Sequence, residues 1–140
     1  MRFVCLGYFD EKGWERKAKE EQERLMEECL AYDEILWRDG HWTDRGEALQ
    51  GTSTAKTLRH RDGRTVVTDG PYAETKEVLG GIGVLEAKDM AEAIELISKH
   101  PGLKMGPFEI RPADETVNAM LNERFRAAQA KGSGKGPSTR

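Results

Sequence analysis

Asp69-Gly70-Pro71 interrupts the chain between two apolar runs, and this interruption constrains the fold more than any other stretch. Thr65-Val66-Val67 precedes it and Ile82-Gly83-Val84-Leu85 follows. Both runs read as strands, so the segment between them must turn sharply. Gly70 stands before a proline, which pushes its backbone out of the helical region. Pro71 suits the first position of a short helical turn, because its missing N–H needs no partner there. Glu74, Lys76 and Glu77 then place three charges in quick succession. A charged loop held between two strands favours a binding or catalytic site.

Taken in order, residues 2–9 read as a first strand, apolar on both faces. Residues 17–38 form a helix whose apolar stripe includes Leu25, Cys29, Tyr32 and Leu36. Asp33 falls inside that stripe. Its carboxylate either reaches solvent at the edge of the stripe or belongs to a polar site facing the sheet. Asp39-Gly40 stops the helix. Residues 41–49 and 55–60 are expected strands. Arg61-Asp62-Gly63-Arg64 predicts a tight hairpin turn into a strand at 65–68.

Residues 79–87 form the next strand, where Gly80, Gly81 and Gly83 mark either a bulge or a close approach by a ligand or another chain segment. Asp89 and Glu92 fit a helix start, with Met90, Ala93, Ile94 and Ile97 as the buried stripe. His100-Pro101-Gly102 ends that helix, and residues 107–111 form the last strand. Residues 114–130 have helical composition with Val117, Met120, Leu121 and Phe125 at helical spacing, and residues 131–140 read as a flexible tail. Residues 1–113 are thus expected to form one domain carrying a helical extension.

Two strand-helix-strand halves with antiparallel pairing predict an α+β fold, a ferredoxin-like sandwich with the helices on one sheet face. Val66, Ile82, Val84 and Phe108 would leave the other face apolar, which predicts a partner.

A length of 140 residues fits one domain with a core of its own. With 34% charged residues and a net charge of −3, the chain is expected to be soluble and not to take nucleic acid as its main partner. No apolar run reaches the ~20 residues that span a bilayer. Cys5 and Cys29 sit in apolar patterns as free thiols. With no leader sequence to read, the expected compartment is the cytoplasm. His41, His60 and His100 lack ligand spacing, so no metal is expected, and phosphate-loop and dinucleotide fingerprints are absent. No cofactor is expected.

The stretch TDGPYAETKE followed by LGG closely resembles the signature of the YCII-related proteins of the DGPF type, with Tyr72 in place of the usual phenylalanine. The resemblance extends through Tyr8-Phe9-Asp10-Glu11, Ala31-Tyr32-Asp33-Glu34, Gly40-His41, Glu47-Ala48-Leu49 and Glu109-Ile110-Arg111-Pro112, covering roughly residues 1–113. It implies a homodimer of the dimeric α+β-barrel type, with the site between sheet and loop near the interface. It also implies an unidentified small molecule as ligand, because relatives on this fold act on lactones and aromatic breakdown products. DGPF-type proteins are often found beside alternative sigma factors, which implies a ligand-sensing accessory module as the alternative to an enzyme.

Within the matched segments, Asp69, His41, Asp33 and Glu74 are the candidates for acid–base work, since a carboxylate and a histidine together can shuttle a proton near neutral pH. Tyr8, Tyr72, Lys76 and Gly81 are the candidates for substrate binding. Lys76 can equally pair with Glu74 or Glu77 on the surface. Asp69 is expected to accept hydrogen bonds from the backbone N–H groups of Gly70, Tyr72 or Ala73. The reaction class that fits is a cofactor-independent isomerisation or lyase step.

Overall fold

The computed structural model describes residues 1–132. Strand β1 (Arg2–Asp10) lies in the middle of a four-stranded antiparallel sheet, flanked by β5 (Glu77–Glu86) and β6 (Phe108–Pro112), with β2 (Glu47–Ala48) outside β5. The four strands of this sheet stand in the spatial order 2-3-1-4 when numbered along the chain. This is the ferredoxin-like arrangement, in which each strand-helix-strand unit is split by a strand of the other. Helix α2 (Lys19–Arg38) connects β1 to β2, and α3 (Met90–Ser98) connects β5 to β6.

The core lies between the sheet and these two helices. Phe3, Cys5 and Leu85 point from the strands onto Leu36, Ala93 and Ile97. Alternation along β1 sends Val4, Leu6 and Tyr8 to the other face. Their cross-strand partners Val84, Ile82 and Leu79 share that face, which among the described residues lies away from the helix-packed core. Phe108 does not: its ring lies over Gly7 on the helix-bearing side. Ile94, expected inside, is 54% exposed, because α3 turns only Ala93 and Ile97 fully inward.

Burial governs the thiol chemistry. Burial pushes the Cys5 thiol up to about 11, from an ordinary value of 9.0. Cys29 moves the same way, through burial first and then the negative charges of Asp33 and Glu28. The unfolded chain therefore loses the Cys5 proton near pH 9 while the folded chain keeps it. Stability due to this group is complete below pH 9 and falls as pH rises through 11. The expected loss is about 2 kcal/mol at pH 11 for Cys5 alone. Urea unfolding at pH 8 and pH 11 measures it, and Cys5→Ala should reduce the decline by about that amount, leaving the share that belongs to Cys29. An equal decline in that variant would remove Cys5 as the cause.

Local chemistry sets the other elements. Asp10 accepts the Gly13 N–H at 3.1 Å and so caps a short helix α1 (Glu11–Glu15) directly after β1. Asp89 caps α3 by accepting the Glu92 N–H at 2.9 Å, while Glu92 reaches back to the Lys88 N–H at 3.0 Å. Asp62 and Gly63 both take positive φ, as the hairpin turn between β3 (Lys56–Arg61) and β4 (Arg64–Asp69) requires.

Three further expectations need correction. The strand expected at 41–49 shrinks to β2. Trp42 makes an isolated bridge with Leu85, and the chain then bends through Asp44, whose carboxylate accepts the Gly46 N–H at 2.8 Å. The β3–β4 hairpin is a separate two-stranded sheet, so Val66 does not contribute to the main sheet face. Finally, Lys131 is the last residue of helix α4 (Glu115–Lys131), so the tail expected from that position starts inside a helix, and the rest of it from 133 on lies outside the described residues. Asp114 caps α4, whose Val117, Met120, Leu121 and Phe125 are all exposed.

Candidate functional site

Asp33 is the point where the two helices and the sheet are tied together. Its Oδ1 accepts the indole N–H of Trp42 at 3.1 Å and a hydrogen bond from His100 Nε2 at 3.0 Å. The His100 proton position follows from its other nitrogen: Nδ1 accepts the Gly102 N–H at 2.9 Å, so it carries no proton and Nε2 does. The chain has good reason to hold His100 there. It is the N-cap residue of the 3₁₀ turn Pro101–Lys104, and its ring packs edge-on to Tyr32 and tilted against Phe108. Among the described residues it is the one buried polar side chain, at 7% exposure. Tyr32, one residue before Asp33, donates its hydroxyl to the Leu96 carbonyl at 2.6 Å and so locks α2 to α3. The Asp33 side chain itself stays 41% exposed.

Three glycines form the sheet surface on this side. Gly7 and Gly81 pair across β1 and β5, and Gly83 follows on the same face. Phe108 fills the space over Gly7, and Trp42 fills the space over Gly83, 3.2 Å and 3.0 Å from where a Cβ would stand. A Cβ on Gly81 would meet only the Glu47 carbonyl oxygen at 3.4 Å. The sheet is therefore open above Gly81, between the glycines that the Phe108 and Trp42 rings cover.

The remaining sequence candidates do not converge on Asp33. His41 donates from Nδ1 to the Glu86 carbonyl at 2.9 Å, tying the end of α2 to the end of β5. Asp69 forms an ion pair with Lys56 across the base of the hairpin, and does not accept the loop N–H bonds expected of it. The Gly70 N–H instead goes to the Ala55 carbonyl at 2.8 Å. Arg59 holds the loop by donating to the Tyr72 carbonyl at 2.8 Å. Tyr72, Glu74 and Lys76 are exposed, Tyr72 at 82%. Tyr8 projects to the opposite sheet face. Sequence reasoning missed two site members, Trp42, which lay unremarked within the strand expected at 41–49, and His100. For His100 the only signal available was a histidine beside Pro-Gly, which reads as a helix stop.

Two shallow clefts lie elsewhere. One, of about 240 Å³, sits on the open sheet face against Val4, Ile82, Val84 and the 44–47 bend. The other, of about 230 Å³, lies between Trp14, Lys17 and Lys104. Among the described residues no cluster of histidine, cysteine and carboxylate side chains could hold a metal ion, and no helix is long and apolar enough to cross a membrane.

Comparison with known proteins adds a lineage. The sequence model of the YCII-related domain matches residues 1–116. The chain is also 35% identical, over 116 residues, to an uncharacterised protein of Rhizobium meliloti (strain 1021), an alignment covering 80% of this chain and 91% of that one.

Proposed function

The chain belongs to the YCII-related family, and from that premise we propose that it handles a small molecule by cofactor-independent proton transfer, as an isomerase or lyase, with Asp33 as the proton acceptor. One observation carries this reading: Oδ1 of Asp33 takes both hydrogen bonds, from Trp42 and His100, while Oδ2 has no hydrogen-bond partner among the described residues and the side chain stays 41% exposed. Two donors fix the carboxylate's orientation, which a general base needs before its proton transfer. His100 cannot serve as that base without releasing the Gly102 N–H from Nδ1, so it acts as a positioning residue. The substrate would lie over the open sheet at Gly81, two residues along β5 from Gly83, which the Trp42 ring covers. Asp69 ends β4, and Tyr72, Glu74 and Lys76 lie on the loop from there into β5, the strand that carries Gly81; all four remain candidates for ligand contact. His41 and Tyr8 remain candidates from the sequence alone.

The proposal includes a homodimer formed through the uncovered sheet face, where Ile82 is 42% exposed between Val4, Leu6 and Val84. It takes residues 1–113 as the domain and α4 as an extension. The two clefts are shallow and apart from Asp33, which favours a second reading, a ligand-sensing accessory module of the kind expected beside alternative sigma factors.

A thermal-shift screen against a metabolite library, repeated on Asp33→Asn, tests the first reading. Asparagine keeps the Oδ1 acceptor for Trp42 and His100 and removes the charge. The variant should fold with a loss of no more than about 1 kcal/mol, yet lose both the melting shift and any turnover. A ligand whose shift is the same in both proteins would defeat Asp33 as the acceptor. A ligand that depends on Asp33 but is never converted would favour the accessory module.

A further inference from the structure

We propose that the β3–β4 hairpin is an arm that packs its Leu58–Val67 face against a second copy of this chain. The inference rests on the dimer reading above and names an element that holds the two copies together. In the hairpin register Lys56 stands opposite Asp69, Leu58 opposite Val67 and His60 opposite Thr65, so these residues share one face. Leu58 is 64% exposed and Val67 59%, and on the other face Val66 is 37% exposed opposite Arg59. Every residue from Arg61 to Asp69 is exposed. A two-stranded ribbon without a packed face is marginal in water, yet this one keeps a regular six-pair ladder. The bonds from Thr57 to the Gly70 carbonyl and from Arg59 to the Tyr72 carbonyl tie the arm to its own loop and not to the body.

Surface area says how much cover is missing. A monomer of 15.7 kDa exposes about 7,300 Å² when compactly folded, whereas this chain exposes 10907 Å². Residues 133–140, even counted as fully extended chain, account for only about 1,100 Å² of the difference. The remaining excess of about 2,500 Å² per chain is what one partner of a large obligate homodimer interface buries.

Charge points to the same occupant. The hairpin carries Lys56, Arg59, Arg61 and Arg64 against Asp62 and Asp69, a net +2, in a chain whose total is −3. The rest of the chain therefore stands at −5, and a basic arm meets an acidic body when two copies exchange arms.

The test uses the full chain and analytical ultracentrifugation. The wild type should be a dimer, and Leu58→Asp/Val67→Asp should weaken dimerisation by at least about 100-fold while the circular dichroism stays unchanged, since both side chains are exposed in the single chain. A wild-type monomer would overturn the dimer reading and this proposal together. A dimer that survives the arm substitutions but separates on Ile82→Asp would leave the sheet-face dimer standing and overturn the arm. Separation on Phe125→Asp alone would assign the missing cover to α4, with the same consequence for the arm. Should the arm variant lose structure, hydrogen exchange of the wild type decides: hairpin amides protected at dimer concentrations support docking, and amides exchanging within seconds at every concentration overturn it.

Discussion

Replacing His100 with alanine is expected to lower stability by about 3 kcal/mol, the sum of a buried aromatic cavity and two lost hydrogen bonds. The ring fills the space between Tyr32 and Phe108, so its loss leaves a void under α2 and α3. The Gly102 N–H loses its acceptor inside the buried turn, and Asp33 loses one of its two donors. Two further variants separate these effects. His100→Asn places an amide oxygen near the position of Nδ1 and can cap Gly102, but its side chain is too short to reach Asp33. His100→Gln places an amide nitrogen near the position of Nε2 and can reach Asp33, but gives up the cap. Urea unfolding should therefore rank asparagine above glutamine in stability. Ligand response should rank them the other way, because only glutamine keeps Asp33 oriented. An alanine variant within 1 kcal/mol of wild type would show that the ring is not a structural centre. Equal ligand responses from asparagine and glutamine would show that the bond to Asp33 does not serve the site.

The sequence made part of this arrangement legible. Asp33 stood out because a carboxylate inside an apolar helical stripe demands partners, and the structure supplies them. The Asp62-Gly63 turn and the Asp89 cap were readable because their chemistry is complete within four residues. His100 was not readable, because its partner lies 67 positions away in sequence and only the fold brings them together. Local pattern at His100-Pro101-Gly102 describes a helix stop, and that description is also true. The β2 segment misled for a similar reason. Residues 41–49 have strand-like spacing, but Asp44 binds the Gly46 N–H, and Gly46 takes φ +67 with the Ile82 carbonyl 2.3 Å from where its Cβ would be. That bend breaks the ladder into the Trp42 bridge and the two residues of β2. It also lets Trp42 turn inward over Gly83 and reach Asp33. The loop after Asp69 is the most distinctive stretch of sequence, yet in the single chain it lies in solvent, and Asp69 finds Lys56 across the hairpin instead of its own backbone. Sequence distinctiveness located the family, while the polar tie at the helix–sheet junction had to be found in three dimensions.

Gly106→Ala is expected to cost about 3 kcal/mol and to disturb the Asp33 site from a distance. A Cβ there would stand 2.1 Å from the Tyr8 carbonyl oxygen and 2.8 Å from the Phe9 Cα. Both obstacles are backbone atoms of the central strand, so no side-chain rotation relieves the overlap. The segment entering β6 must move off β1. This strains the Tyr8 N–H bond to the Pro107 carbonyl at 2.9 Å and the pairing of Gly7 with Phe108 that follows it. Phe108 covers Gly7 and supports the His100 ring, so its displacement loosens the donor that holds Asp33. Gly51→Ala is the matching control. A Cβ at Gly51 would meet nothing closer than the Glu11 carboxylate at 3.9 Å, and the substitution should leave stability within about 0.5 kcal/mol. The readout is a pair of urea curves together with the nuclear magnetic resonance signal of the Trp42 indole N–H, which reports its bond to Asp33. Gly106→Ala should lower the unfolding midpoint and shift that indole signal, while Gly51→Ala should do neither. An alanine at 106 that unfolds like wild type would mean that β1 and the β6 entry yield to each other at little cost. A lowered midpoint with an unmoved indole signal would mean that the strain stops at Phe108 and never reaches Asp33.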